Sequence, residues 1–194
     1  YFNYPPYGLG ILRSLLIDKK YNVKILDLNF ELLHLIEEYV QNSEYSKSYL
    51  KNFDKRKLEE ISIEDLMIPL LIKVLKDFKP EIVGITCMFT MTHKRMTTLA
   101  KRIKLYSNDI IVFAGGVHPT SSAELILKEE KAIDFINLYE SDNSFPDLID
   151  YLNDLNKEIM SLRQIGTLID SKYYNTKNIS HPTSNIMPAY GDLK

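Results

Sequence analysis

The chain has 194 residues, of which 45% are hydrophobic and 26% charged, and a formal net charge of -2 at pH 7. That length suits one α/β domain with a sizeable core. A near-neutral charge without a basic stripe argues against a nucleic-acid partner, and no apolar run approaches the ~18–20 residues of a membrane span. A single cysteine, Cys87, excludes an internal disulfide and a cysteine-only metal site, and fits a cytosolic protein. No secretory signal is visible. The chain opens at Tyr1 and stops at Lys194 without a closing element, so it reads as a fragment of something longer.

In chain order, Leu9, Leu12 and Leu16 recur at helical spacing and predict a helix from Gly8 to Asp18. After the turn Lys19-Lys-Tyr-Asn22, Val23 to Asp27 reads as a strand. Leu32, Leu35, Ile36 and Tyr39 make an amphipathic face, and the polar stretch 41–60 reads as a helical surface excursion. Ser62-Ile-Glu-Asp65 predicts a cap for a helix carrying Leu71, Val74, Leu75 and Phe78, with Pro69 as a kink or as the true start. Pro80 closes that helix, and Glu81 to Thr86 is the next strand. Met96, Leu99, Ala100 and Ile103 form another helix face.

Ile110 to Ala114 reads as a buried strand, and Ser121-Ser-Ala-Glu124 has the capping-box form of a helix running to Glu129. Ile133 to Leu138 is a short strand, and Phe145, Leu148, Ile149 and Leu152 give one more helix. Arg163 to Ile169 and Tyr173-Tyr174 flank Asp170-Ser-Lys172 and predict a β-hairpin; Asn175 to Lys194 reads as a linker. Alternating strands and helices imply a doubly wound, flavodoxin-like (Rossmann-like) parallel sheet with helices on both faces. The expected domains are 1–160, with its first strand largely missing, and 161–194 as hairpin and linker.

Ligands of open parallel sheets bind outside the carboxyl ends of the strands. That rule selects four loops: Asn3 to Gly8, Cys87 to Thr92, Gly115 to Thr120, and Leu138 to Asp142. Gly115-Gly116 lies between a strand and a helix start, where two glycines let backbone approach a bulky planar ligand or merely make a tight turn. Met88, Phe89 and Met91 are large apolar residues in a loop; they suit the face of a wide macrocycle, or else they tuck into the core. His118 faces either a ligand rim or a neighbouring domain, or it caps the following helix or bonds a backbone carbonyl. His93 falls in the first turn of a helix and reads as solvated. Cys87 reads as a small buried apolar residue. Glu140 is either an acceptor for a ribose or for amides, or a carboxylate favouring a helix dipole. Four scattered histidines, His34 and His181 included, make no metal site.

In order, these loops resemble the cobalamin-binding domain at the N-terminus of many radical S-adenosylmethionine enzymes. Pro5-Pro6-Tyr7-Gly8-Leu9 is similar to that family's Pro-Pro-x-Gly-Leu opening. Val23 to Asn29 is similar to its second strand with a trailing Asp-x-Asn, and Pro80 to Ile85 to its Pro-Asp-x-Val-Gly strand. Gly115-Gly-Val-His-Pro-Thr120 resembles its Gly-Gly-x-His-x-Thr turn, the most specific of the motifs. Pro188-Ala189-Tyr190 with Asp192-Leu193 resembles its Pro-Ala-x-Asp-Leu segment.

The resemblance implies cobalamin as the cofactor of this domain, held by Pro6, Tyr7, Gly8, Thr86, Met88, Phe89, Thr90, Gly115, Gly116, His118, Thr120, Tyr139 and Glu140. It implies no catalytic or metal-ligating residue in this chain. It further implies a strand before Tyr1 and, after Lys194, a radical barrel that would bring S-adenosylmethionine and a [4Fe-4S] cluster. Three departures stand out. Tyr139-Glu140-Ser141-Asp142 replaces the family's Gly-Glu-Gly-Glu, no Asp-x-His-x-x-Gly offers a histidine below the cobalt, and Cys87 to Thr92 has no Ser-x-Leu. The alternative expectation is the same fold without cobalamin, kept as a substrate-docking or interaction module. A phosphorylated receiver domain would need acidic residues where Pro5-Pro6 and Cys87-Met-Phe89 stand.

Overall fold

The computed structural model describes residues 6–32, 34, 63–153, 158–176 and 186–190. They fall into two compact units, Tyr1–Ile25 with Pro80–Lys194, and Leu26–Lys79. The stretch 41–60, the residues Leu35, Ile36 and Tyr39, the cap at Ser62, and His181 lie outside the described residues.

The larger unit is built on a five-stranded sheet in the order β1 (Ile82–Thr86), β2 (Ile111–Gly115), β3 (Phe135–Asn137), β4 (Ile165–Ile169), β5 (Lys172–Asn175). β1, β2 and β3 are parallel; β4 joins β3 antiparallel, and β5 joins β4 antiparallel. β2 is an interior strand, buried along Val112-Phe113-Ala114, which is why its sequence is an unbroken apolar run. The hairpin turns on Asp170-Ser171, both at positive φ, the two-residue geometry that matches strand twist. The hairpin therefore extends the sheet.

Helices cover both faces. α1 (Tyr7–Asp18) and α6 (Ser144–Asn153) share one face, where Leu16, Phe113, Phe145 and Ile149 form a core cluster with Leu12, Val23 and Phe135 packed against it. Asp150 binds both Lys19 at 2.5 Å and the Tyr21 hydroxyl at 2.9 Å, which pins the end of α1 to α6. α3 (His93–Tyr106), α4 (Val117–Ser121) and α5 (Ala123–Glu129) pack against the strands they connect. The smaller unit holds α2 (Ile63–Phe78), whose Met67, Leu71 and Leu75 recur at every fourth position and are buried. In it, Asp27 caps a helical turn by accepting from the amides of Asn29 and Phe30.

Four expectations are corrected. Val23 to Asp27 is not one of the strands of the five-stranded sheet. Pro69 lies inside α2 and does not start it. The helix after the Gly-Gly turn begins at Val117 and breaks at Ser122, so Ser121 makes no capping box; its hydroxyl donates back to the His118 carbonyl at 2.9 Å. Finally, part of the stretch read as a linker is seated on α1. The Ser14 hydroxyl donates to the Met187 carbonyl at 2.5 Å, and the Ala189 amide donates to the Gly10 carbonyl at 3.0 Å. Among the described residues no helix is long and apolar enough to cross a membrane.

Candidate functional site

Parallel pairing of Thr86 with Gly115 ends β1 and β2 level with each other, so the loops that follow them meet. The Cys87 amide donates to the Gly115 carbonyl at 2.8 Å, and the His118 amide donates to the Cys87 carbonyl at 3.3 Å. Gly116 sits at φ +110°, and a Cβ there would lie 2.6 Å from the Cys87 carbonyl oxygen. Both facts demand glycine. Of the two expectations for Gly116, ligand approach or a tight turn, the turn has a structural reason of its own: the neighbouring loop's backbone fills the space a Cβ would take. Gly115 differs: a Cβ there would make only ordinary contacts with Asn137 at 3.8 Å. At Gly8 it would meet nothing within 4 Å.

A ladder of side chains joins three of the four loops. Thr120 donates its hydroxyl to the Gly116 carbonyl at 2.9 Å and accepts from the Tyr139 amide at 3.0 Å. Tyr139 lies at φ +57°, and its ring is 61% exposed. Thr90 Oγ1 lies 3.3 Å from His118 Nδ1, and His93 Nδ1 lies 2.9 Å from His118 Nε2. His93 is thus paired with His118, contrary to the solvated reading. His118 is buried inside α4 and bonds side chains, so it neither caps a following helix nor binds a carbonyl through its ring. Burial, and then His93, push its pKa below the ordinary histidine value. Cys87 is buried, with Sγ 3.2 Å from Thr92 Oγ1.

Met88, Phe89 and Met91 are 51%, 66% and 88% exposed, which excludes the core-filling alternative. Val117 and Tyr139 are exposed on the neighbouring loops. Pro6, Tyr7 and Gly8 open α1, where the Pro6 carbonyl accepts from the Gly10 amide. Among the described residues no hydrogen bond joins these three to the β1 and β2 loops. Thr86 and Glu140 are exposed at the ends of β1 and of the β3 loop. Sequence reasoning missed Asn137. It is buried, its Oδ1 accepts from Ser144 at 2.8 Å, and its Nδ2 has no partner.

The B12 binding domain family model matches residues 44–149, more than half of the chain. The chain belongs to the B12-binding domain family. Over 90 residues, 46% of this chain, it is 34% identical to the uncharacterized methyltransferase PH0819 of Pyrococcus horikoshii, covering 19% of that protein. Over 148 residues, 76% of the chain, it is 24% identical to cytidylyl-2-hydroxyethylphosphonate methyltransferase of Streptomyces wedmorensis, covering 24% of it. The chain thus spans about a fifth to a quarter of the length of these curated relatives. Its fold matches the radical S-adenosylmethionine methyltransferase TsrM of Kitasatospora setae at TM-score 0.61 and 13% identity, covering 89% of this chain and 27% of that one. It also matches the cobalamin-dependent S-adenosylmethionine radical enzyme OxsB at TM-score 0.50 and 21% identity, covering 60% and 16%.

The residues of this B12-binding domain fit a corrinoid. Large apolar side chains stand exposed at the carboxyl edge, and large exposed apolar patches mark binding surfaces. Gly8 leaves open space, Gly115 meets only ordinary contacts, and one buried amide lacks a partner. Among the described residues no group of three His, Cys, Asp or Glu could hold a metal ion.

Proposed function

We propose that this B12-binding domain holds cobalamin against the carboxyl edge of β1, β2 and β3, as the accessory domain of a radical S-adenosylmethionine methyltransferase. The observation that carries this reading is the loop Met88 to Met91, whose large apolar side chains stand out in solvent beside the Gly115-Gly116 turn. Soft, adaptable side chains of this kind cover the face of a wide apolar ring and exclude water from it. The exposed Thr86, Thr90 and Glu140 supply hydrogen bonds for the polar rim. A bound corrinoid supplies a cobalt able to accept and pass on a methyl group. This chain orients the ring and keeps one face dry. Of the first expected domain boundary, we propose only that the segment after Asn175 leads towards a downstream radical domain. Residues 186–190 of that segment lie along α1, bonded to Ser14 and then to Gly10.

The test is reconstitution of the full-length protein with hydroxocobalamin, followed by gel filtration and absorbance. Corrinoid should leave the column with the protein. Met88→Glu with Met91→Glu should weaken binding by at least about tenfold, on the order of 1.4 kcal/mol. The melting temperature should hold, because both side chains are exposed. A folded wild type that retains no corrinoid would leave the docking-module alternative standing.

A further inference from the structure

We propose that His93, His118 and Thr90 form a directed hydrogen-bond relay that sets the Thr90 hydroxyl as a donor to a carbonyl on the corrinoid's amide rim. The proposal rests on the cobalamin reading above and adds a positioning role for two histidines. His93 Nδ1 lies 2.9 Å from His118 Nε2, with the ring planes at 90° in a T-shaped contact. On the far side of the same ring, His118 Nδ1 lies 3.3 Å from Thr90 Oγ1. Thr90 is exposed between Phe89 and Met91, within the loop that presents the apolar face.

The chemistry of imidazole makes these contacts interdependent. A neutral ring carries one N–H and one lone pair. Two facing ring nitrogens at hydrogen-bond distance share a single hydrogen. If His93 donates, His118 Nε2 accepts and its Nδ1 must carry the proton. That proton goes to the Thr90 oxygen, and the hydroxyl hydrogen of Thr90 is released to point outward. If the chain runs the other way, Thr90 spends its hydrogen on His118 and presents only lone pairs. A ligand carbonyl selects the first direction; no proton need leave the chain. The relay requires His118 to stay neutral, and burial together with the neighbouring His93 favours that form.

His93 acts here through His118, so it is a positioning residue, and its test needs more than loss of affinity. In the full-length protein, Thr90→Val and His93→Ala should each weaken hydroxocobalamin binding about fivefold. The double variant should weaken it by about the same factor, since cutting a chain twice loses no more than cutting it once. Asparagine places an amide N–H near the position of Nδ1, so His93→Asn should restore affinity to within about twofold. A second readout needs no corrinoid. With 15N-labelled histidine, the His118 ring signals of the ligand-free wild type should shift in His93→Ala, because the contact that shares its Nε2 hydrogen is lost; with ligand bound, the wild-type ring should be protonated on Nδ1. Single variants that bind as the wild type, or a double variant that multiplies the two losses, would overturn the relay. If the wild type binds no corrinoid, the cobalamin reading fails, and an unchanged His118 spectrum in His93→Ala would then sink the relay separately.

Discussion

Tyr139 occupies a left-handed backbone conformation, φ +57°, which costs an L side chain roughly 1–2 kcal/mol. It does so because its amide must reach Thr120 Oγ1, which is held in turn by the Gly116 carbonyl. The family that this chain resembles has glycine at the corresponding place, and the φ angle explains why. Tyr139→Gly should therefore stabilise the protein by about 0.5–1 kcal/mol in urea unfolding, the relief of strain exceeding the added chain entropy. Because the ring is exposed, cobalamin affinity should stay equal or tighten. Gly116→Val would be a poor probe of the ligand, since it is strained by φ and collides with Cys87 before any ligand is considered. His118 gives a pH signature. Its folded pKa lies below the ordinary 6.5, so between the two values the unfolded chain binds more protons than the native one. Its contribution is complete above pH 6.5 and declines as pH falls below that value. The melting temperature should drop on acidification below pH 6.5, and the drop should be smaller in His118→Gln. An identical pH profile in that variant would refute the assignment.

At the scale of elements, α1 is shaped by what lies on it. Lys20 at φ +70° ends the helix, with the Tyr21 amide reaching back to the Leu16 carbonyl, so the last turn is closed by a left-handed cap. Near its start, Gly10 leaves room for the segment 186–190. A Cβ at Gly10 would lie 2.5 Å from the Tyr190 ring and 2.7 Å from Pro188. Glycine is costly inside a helix, and here the close approach of a second segment repays it. Gly10→Leu should lift the strap from α1. Cleavage between Ile186 and Tyr190 under limited proteolysis should rise by about tenfold, since cleavage tracks the population of the open form. Ser14→Ala removes only the bond to Met187 and should give a smaller rise. Equal cleavage in Gly10→Leu and wild type would show that the strap does not depend on this seat.

Across the whole molecule, the parallel core, the hairpin and the family were legible in the sequence. Hydrophobic periodicity is a local consequence of helix and strand geometry, so Met96-Leu99-Ala100-Ile103 and Ile110 to Ala114 announce their elements without help from the rest of the chain. Within the short motif Gly115-Gly-Val-His-Pro-Thr120, Gly116 is demanded by its positive φ and by the close approach of Cys87. Strand status was less legible at Val23 to Asp27, because pairing depends on a neighbour that no local pattern encodes. The same limit governed the site. His93 and His118 stand on either side of β2, and nothing in their spacing links them. The level ends of β1 and β2 bring them together. The exposure of Met88, Phe89 and Met91, the approach of Gly116 to Cys87, and the left-handed Tyr139 also follow from register. The sequence by itself determined the order of elements and, through the strand-end rule, the edge proposed for a ligand. Only the tertiary structure decided which side chains meet there, because those contacts join segments whose separation is set by sheet pairing and not by any repeat along the chain.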